Sequence, residues 1–332
     1  MHCHCSRLLA GLIAIGSIGI VSGCVRPGDR LPRSGDEIVA AGQLFHTGTP
    51  VVLWLDPGGY DAYSAHRHFE PAETMPSAPA APGNPSRFSQ RFSMPAERKA
   101  RVREHGWTLR DLQDQVDLFV YHYDACGASG RCFRVLQDLR GLSVQFMCDL
   151  DGTIYQTLDL KERAWHAGDV NCRCVGVEIA NIGGYETMDT LNKWYALDRS
   201  GWPYCIFPPE IDVRETQLRT PNFAGRSARK QVISGRVNGR DLMQYDFTNQ
   251  QYAALIKLTA AMARIFPKLK LDAPRNPDGS VRMDVLSPEE LAAYSGFLGH
   301  QHTIKVKPDP GPAFDWDRVL RGARRELGQT FW

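Results

Sequence analysis

Cys174-Val175-Gly176-Val177-Glu178-Ile179 is the stretch on which the fold turns. The run is apolar, rich in valine and too short for a helix that would bury it, so it describes an inner strand covered on both faces. Glu178 interrupts it. A carboxylate inside such a strand is costly unless it is paired or used, which makes Glu178 the first candidate functional residue.

Working outward, Leu118-Phe119-Val120-Tyr121-His122 reads as a second strand with His122 at its C-terminal end, and Thr108-Leu109-Arg110-Asp111 before it reads as a capped helix start. A helical piece follows around 133–139, then a strand over Ser143 to Cys148. The turn Asp149-Leu150-Asp151-Gly152 leads into Thr153 to Leu158 as a hairpin. Thr248 and Gln251 cap a helix running to Phe266, on which Tyr252, Leu255, Leu258, Met262 and Ile265 form a core-facing stripe. Ser287-Pro288-Glu289-Glu290 opens another helix, and Asp315 to Leu327 reads as the closing one. The predicted fold is α/β, with a mixed central β-sheet flanked by helices over 96–332 and a long Gly-, Pro- and aromatic-rich insertion at 185–246.

Upstream, Arg7 precedes the apolar Leu8 to Val21, too short and Gly-rich to span a bilayer but suited to a secretory signal over 1–23. It closes on Val21-Ser22-Gly23-Cys24, which resembles the lipobox of bacterial lipoproteins. That resemblance implies lipidation at Cys24 and a lipid anchor in the membrane. Val25 in the position after Cys24 points, in a diderm host, to the periplasmic face of the outer membrane. Residues 24–40 read as a tether. Residues 41–95 read as an N-terminal strand at Val51 to Leu55 followed by a Pro-rich loop or linker. The cluster His2-Cys3-His4-Cys5 lies ahead of the hydrophobic run and is discounted as a site.

The balance of 39 basic against 37 acidic residues, with no dense basic run, excludes nucleic acid as a partner. A hydrophobic fraction of 43% is enough to build a core, and a monomer is expected. Beyond Cys24, six cysteines remain in an exported chain, so disulfides are expected.

Four ordered blocks resemble the type 2 N-acetylmuramoyl-L-alanine amidases, the zinc amidase family that includes phage amidases and peptidoglycan recognition proteins. They are Val120-Tyr121-His122-Tyr123, Trp165-His166-Ala167-Gly168, Val175-Gly176-Val177-Glu178-Ile179, and Gly299-His300 followed by Lys307-Pro308-Asp309-Pro310-Gly311-Pro312-Ala313-Phe314. The resemblance implies Zn2+ held by His122, His300 and Asp309, because two imidazoles and a carboxylate leave one position open for water. It further implies Glu178 as general base, Lys307 as the cation facing the oxyanion, and Trp165 and His166 as substrate contacts. A Cys126–Cys132 disulfide is implied in the same way. Taken alone, His122 would read as a structural histidine and Asp309-Pro310 as a turn. The segment Gln301-His302-Thr303-Ile304-Lys305-Val306 departs from the family's usual loop and leaves His302 as an alternative to His300, which its Gly299 context favours. The implied reaction is hydrolysis of the amide between N-acetylmuramic acid and L-alanine in peptidoglycan or muropeptides; the alternative is a non-catalytic peptidoglycan-binding lipoprotein.

Overall fold

The computed structural model describes residues 33–69, 87–91 and 93–328; the signal peptide, Cys24 and most of the Pro-rich stretch lie outside the described residues. Strands β1 (Glu37–Ala40) and β2 (Gln43–His46) form a hairpin, followed by β3 (Val51–Leu53). Next come β4 (Phe88–Gln90), α1 (Ala96–His105), α2 (Leu109–Gln115) and β5 (Leu118–Tyr123). Helix α3 (Ser129–Arg134) runs into a wider π-turn at Val135–Arg140 ahead of the hairpin of β6 (Phe146–Cys148) and β7 (Ile154–Gln156). β8 (Glu162–Ala164), a 3-10 turn at Gly168–Cys172 and β9 (Cys174–Ile179) follow. The insertion contains α4 (Leu191–Trp194) and two hairpins, β10 (Tyr195–Leu197) with β11 (Pro203–Cys205) and β12 (Ile233–Val237) with β13 (Arg240–Gln244). The chain ends with α5 (Asn249–Ile265), α6 (Pro288–Ala293), β14 (Gly296–Gly299) and α7 (Trp316–Glu326).

Six strands make the central sheet in the order β14-β5-β9-β6-β7-β3, all neighbours parallel except the β6–β7 hairpin. The mixed sheet with flanking helices is the one the sequence predicts. Period-two alternation divides its two faces. Phe119, Tyr121, Val175, Val177 and Ile179 point into the larger core, where Tyr252, Leu255 and Leu258 of α5 meet Val319 and Leu320 of α7. Each such side chain contributes about 1.5–3 kcal/mol when taken fully out of water. The opposite face carries Val120, His122, Gly176 and Glu178. Because β5 and β9 are parallel with His122 opposite Glu178, both side chains emerge on that face at the same height.

The capping residues are those expected. Thr108 with Asp111, Thr248 with Gln251, and Ser287 with Glu290 form reciprocal capping boxes at α2, α5 and α6. The expected tether through residue 40 is corrected at its end. Glu37–Ala40 is buried throughout, because Ile38, Val39 and Ala40 join the main core and Gln156 holds both backbone groups of Val39. The strand at 51–53 likewise belongs to the central sheet, parallel to β7, rather than to a separate N-terminal segment. Within the insertion, Tyr185 pairs with Met243 of β13 as an isolated bridge, the two exchanging backbone hydrogen bonds at 2.9 and 2.7 Å. Among the described residues, no helix is long and apolar enough to cross a membrane.

Candidate active site

His122 leaves the end of β5, His300 opens the 3-10 turn after β14, and Asp309 sits in the loop that follows. All three side chains are buried. His122 Nδ1 lies 2.8 Å from Asp309 Oδ2 and 3.0 Å from His300 Nδ1, and His300 Nδ1 lies 3.0 Å from the same Oδ2. Three donor atoms thus form a nearly equilateral triangle. A tetrahedral ion with bonds of about 2.0–2.1 Å has donor–donor edges of about 3.3 Å, so this triangle fits one face of a zinc site with small adjustment.

The protonation states suit the same role. Burial, with help from the neighbouring His300, pushes His122 down to about 4. Burial works against the ionised Asp309, yet His300 and His122 hold it well below the usual carboxylate range. A neutral imidazole and an ionised carboxylate are the forms that bind a metal. His302 is excluded as a donor because both its ring nitrogens are engaged: Nδ1 accepts from Gly299 N and Nε2 meets Arg282 O. A second group of possible ligands combines half-buried Asp36, buried Glu37 and exposed His46, its carboxylates occupied by Ser34, Gly35 and Gly48.

Glu178 projects beside this triangle into a cavity of about 500 Å³ that Trp165, His166 and Lys307 also line. Its Oε2 is buried without a hydrogen-bond partner. Burial first, then the charges of Asp309 and Asp124, raise its carboxyl well above the ordinary range. A carboxylate with high proton affinity, unengaged by the protein and open to the cavity, is equipped to accept and return a proton. The structure therefore brings His122, His300, Asp309, Glu178, Lys307, Trp165 and His166 to one cavity. Cys24 lies outside the described residues.

The expected Cys126–Cys132 disulfide is corrected. Both are free and line the cavity wall; the neighbouring Cys126, together with burial, raises the Cys132 thiol well above its ordinary range. The remaining cysteines among the described residues, Cys148, Cys172, Cys174 and Cys205, are free as well.

Sequence reasoning missed two supporting residues. Gln244, at the end of β13 and fully buried, donates Nε2 to Pro310 O and Asn181 Oδ1 and accepts from Ala313 N, all at 3.1 Å. It clamps the Asp309 loop from the insertion. Gly311 in that loop has φ of +85°, and a side chain there would overlap Gln244, so the loop closes down only because this position is glycine. Arg91 is the other. Its guanidinium is buried and donates to the carbonyls of Leu160, Asn171, Cys172 and Cys174. Neither Gln nor Arg in a polar stretch carries a signal of burial.

A mixed sheet bearing a His2Asp triangle, with a carboxylate and a lysine in the same cavity, has the parts of a hydrolase site. The sequence profile of the N-acetylmuramoyl-L-alanine amidases (Amidase_2) matches residues 112–312, well over half of the chain, and the chain belongs to that family. Its activity is that of a peptidoglycan amidase, cleaving N-acetylmuramic acid from L-alanine. No curated protein matches. Among solved structures, a selenomethionine derivative of AmpD is similar at 16% identity and TM-score 0.32, covering 71% of this chain and 89% of its own. AmiD from E. coli, solved with anhydro-N-acetylmuramic acid-L-Ala-D-gamma-Glu-L-Lys, is 17% identical with TM-score 0.34, over 63% of this chain and 57% of its own. The amidase LysC from Clostridium intestinale URNW is 14% identical with TM-score 0.33, over 66% and 89%. The assignment rests on the family match.

Proposed function

We propose that the amidase is zinc-dependent, with His122, His300 and Asp309 holding the metal, Glu178 moving the proton and Lys307 facing the developing oxyanion. The observation that carries this reading is the triangle of donor atoms with the unpartnered Glu178 carboxyl beside it. When bound, the metal would polarise the scissile carbonyl and lower the pKa of a coordinated water. Glu178, on the strand next to His122, takes a proton from the attacking water and delivers it to the departing amino group of L-alanine. Its raised proton affinity suits the return step. The Lys307 ammonium offsets negative charge on the former carbonyl oxygen. The pairing of Glu178 and Lys307 with the three donors favours catalysis over binding alone.

The test is digestion of muropeptides followed by mass spectrometry. Zinc-loaded protein releases intact stem peptide, a chelator stops release, and Glu178→Gln abolishes turnover while retaining zinc. Release that persists after chelation, or in the variant, overturns the assignment. The same reading takes Cys24 as the lipid attachment site and the periplasmic face of the outer membrane as the location. Labelled fatty acid incorporated by the wild type and lost in Cys24→Ser is the expected result; equal labelling rejects the anchor.

A further inference from the structure

His166 was expected to contact substrate, yet both of its ring nitrogens are turned toward the protein. Nδ1 lies 2.9 Å from His122 Nε2, and Nε2 lies 3.6 Å from Cys174 Sγ. The two imidazoles meet edge to face, with planes at 82°. We propose that His166 is a positioning residue that fixes the tautomer and orientation of His122, so that Nδ1 of His122 is presented to the metal; this rests on the metal-site reading above.

The argument follows from what a neutral imidazole can do. His122 has Nδ1 in the donor triangle, so its proton must sit on Nε2 if Nδ1 is to offer a lone pair. That N–H points at His166 Nδ1, which accepts only if His166 carries its own proton on Nε2. The His166 Nε2–H then points at Cys174 Sγ, a weak acceptor. One directional chain of donation results, from His122 through His166 to Cys174. A metal-bound histidine commonly donates its second ring N–H to a partner that sets its rotation and basicity, and here that partner is another histidine.

An independent feature shows that the seat is built for this ring. Gly176 lies under His166 on β9, and a Cβ at that position would stand 2.6 Å from Nδ1 and 2.9 Å from Nε2 of the imidazole. Only glycine lets the ring lie against the strand. The segment carrying His166 is pinned as well: Asn171 Oδ1 accepts from His166 N and Ala167 N at 3.2 and 2.7 Å. The buried Arg91 ties the carbonyls of Asn171 and Cys172 in the following turn to that of Cys174 at the start of β9. Arg91 thus joins the turn after His166 to the strand on which His166 rests.

The test is zinc affinity, measured on the full chain by competition with a chromophoric chelator, beside steady-state kinetics at saturating zinc. His166→Phe is expected to bind zinc ~10–100-fold more weakly. His166→Gln, whose amide oxygen restores an acceptor, should recover much of that loss, and Gly176→Ala, which displaces the ring while leaving both histidines present, should weaken zinc in the same direction. If His166 instead serves substrate, His166→Phe raises KM and leaves zinc affinity unchanged, which overturns the proposal. Wild-type protein that binds no zinc would sink the metal reading itself, a different outcome from wild type and His166→Phe binding equally. A measurement that needs no variant is the imidazole ¹⁵N spectrum of zinc-loaded wild type. His166 protonated at Nε2 is expected; protonation at Nδ1 refutes the chain.

Discussion

Replacing Gln244 by Leu keeps the approximate size of the side chain and removes its polar atoms. Two backbone groups of the ligand loop, Pro310 O and Ala313 N, would lose their buried partner, while Asn181 Oδ1 keeps the hydrogen bond from Gly183 N. An orphaned buried polar group costs about 1–3 kcal/mol, so the variant is expected to lose about 2–6 kcal/mol. Unfolding entropy near 2.1 cal/mol/K per residue over roughly 300 residues is about 0.6 kcal/mol/K, which makes this a fall of about 3–10 °C in Tm. The loss falls on the loop that carries Asp309, so zinc affinity should drop as well. Differential scanning calorimetry of apo protein, paired with a zinc titration, measures both. A Tm within about 1 °C of wild type, or a full loss of Tm with zinc affinity intact, would refute the reasoning that Gln244 holds the metal loop.

Asp149 is fully buried, with Oδ1 accepting from Leu150 N and Ser129 N while Oδ2 lacks a partner. Burial, aided by the nearby Asp151 and against the pull of the Leu150 and Ser129 backbone N–H groups, leaves its carboxyl pushed up to about 7 from 3.8. A raised carboxylate pKa means the ionised form is disfavoured in the fold, so the penalty is absent below about pH 4, grows through the interval and is complete above about pH 7. Asp149→Asn should therefore match wild type near pH 4 and exceed it near pH 8, by up to about 4 kcal/mol, in chemical denaturation; a difference independent of pH would reject this. Lys307→Ala should lower kcat by about 10²–10³-fold with zinc affinity unchanged, and an unaltered kcat would remove Lys307 from the mechanism. Adding zinc at 100 times its Kd to chelated protein should stabilise it by about 2.7 kcal/mol, seen as a rise in Tm; no shift would argue against a folded-state metal site.

Local chemistry is what made much of this protein legible in one dimension. Thr108, Thr248 and Ser287 announce their helices because a cap and its partner three residues on are a local hydrogen-bonded device. The valine-rich β9 and the aromatic β5 declare inner strands by hydropathy, and Glu178 stands out because charge in such a strand is costly. Glu178 could thus be singled out from its own strand, whereas His122 and Asp309 were named only through the resemblance of their blocks to the amidase family.

Tertiary structure decided what depends on contacts between distant segments. It took His300 over His302 because His302 spends both nitrogens on the backbone, a fact no neighbouring residue encodes. It drew Ile38, Val39 and Ala40 out of an apparent tether into the core, and it left Cys126 and Cys132 as thiols. It also exposed the supports, Gln244, Arg91 and Gly176, whose roles arise from close approaches across 66, 80 and 10 positions of chain to Pro310, Asn171 and His166. Sequence determines which groups can ligate or move a proton; only the folded chain determines where each imidazole nitrogen points, because that direction is set by the atom packed against its far side.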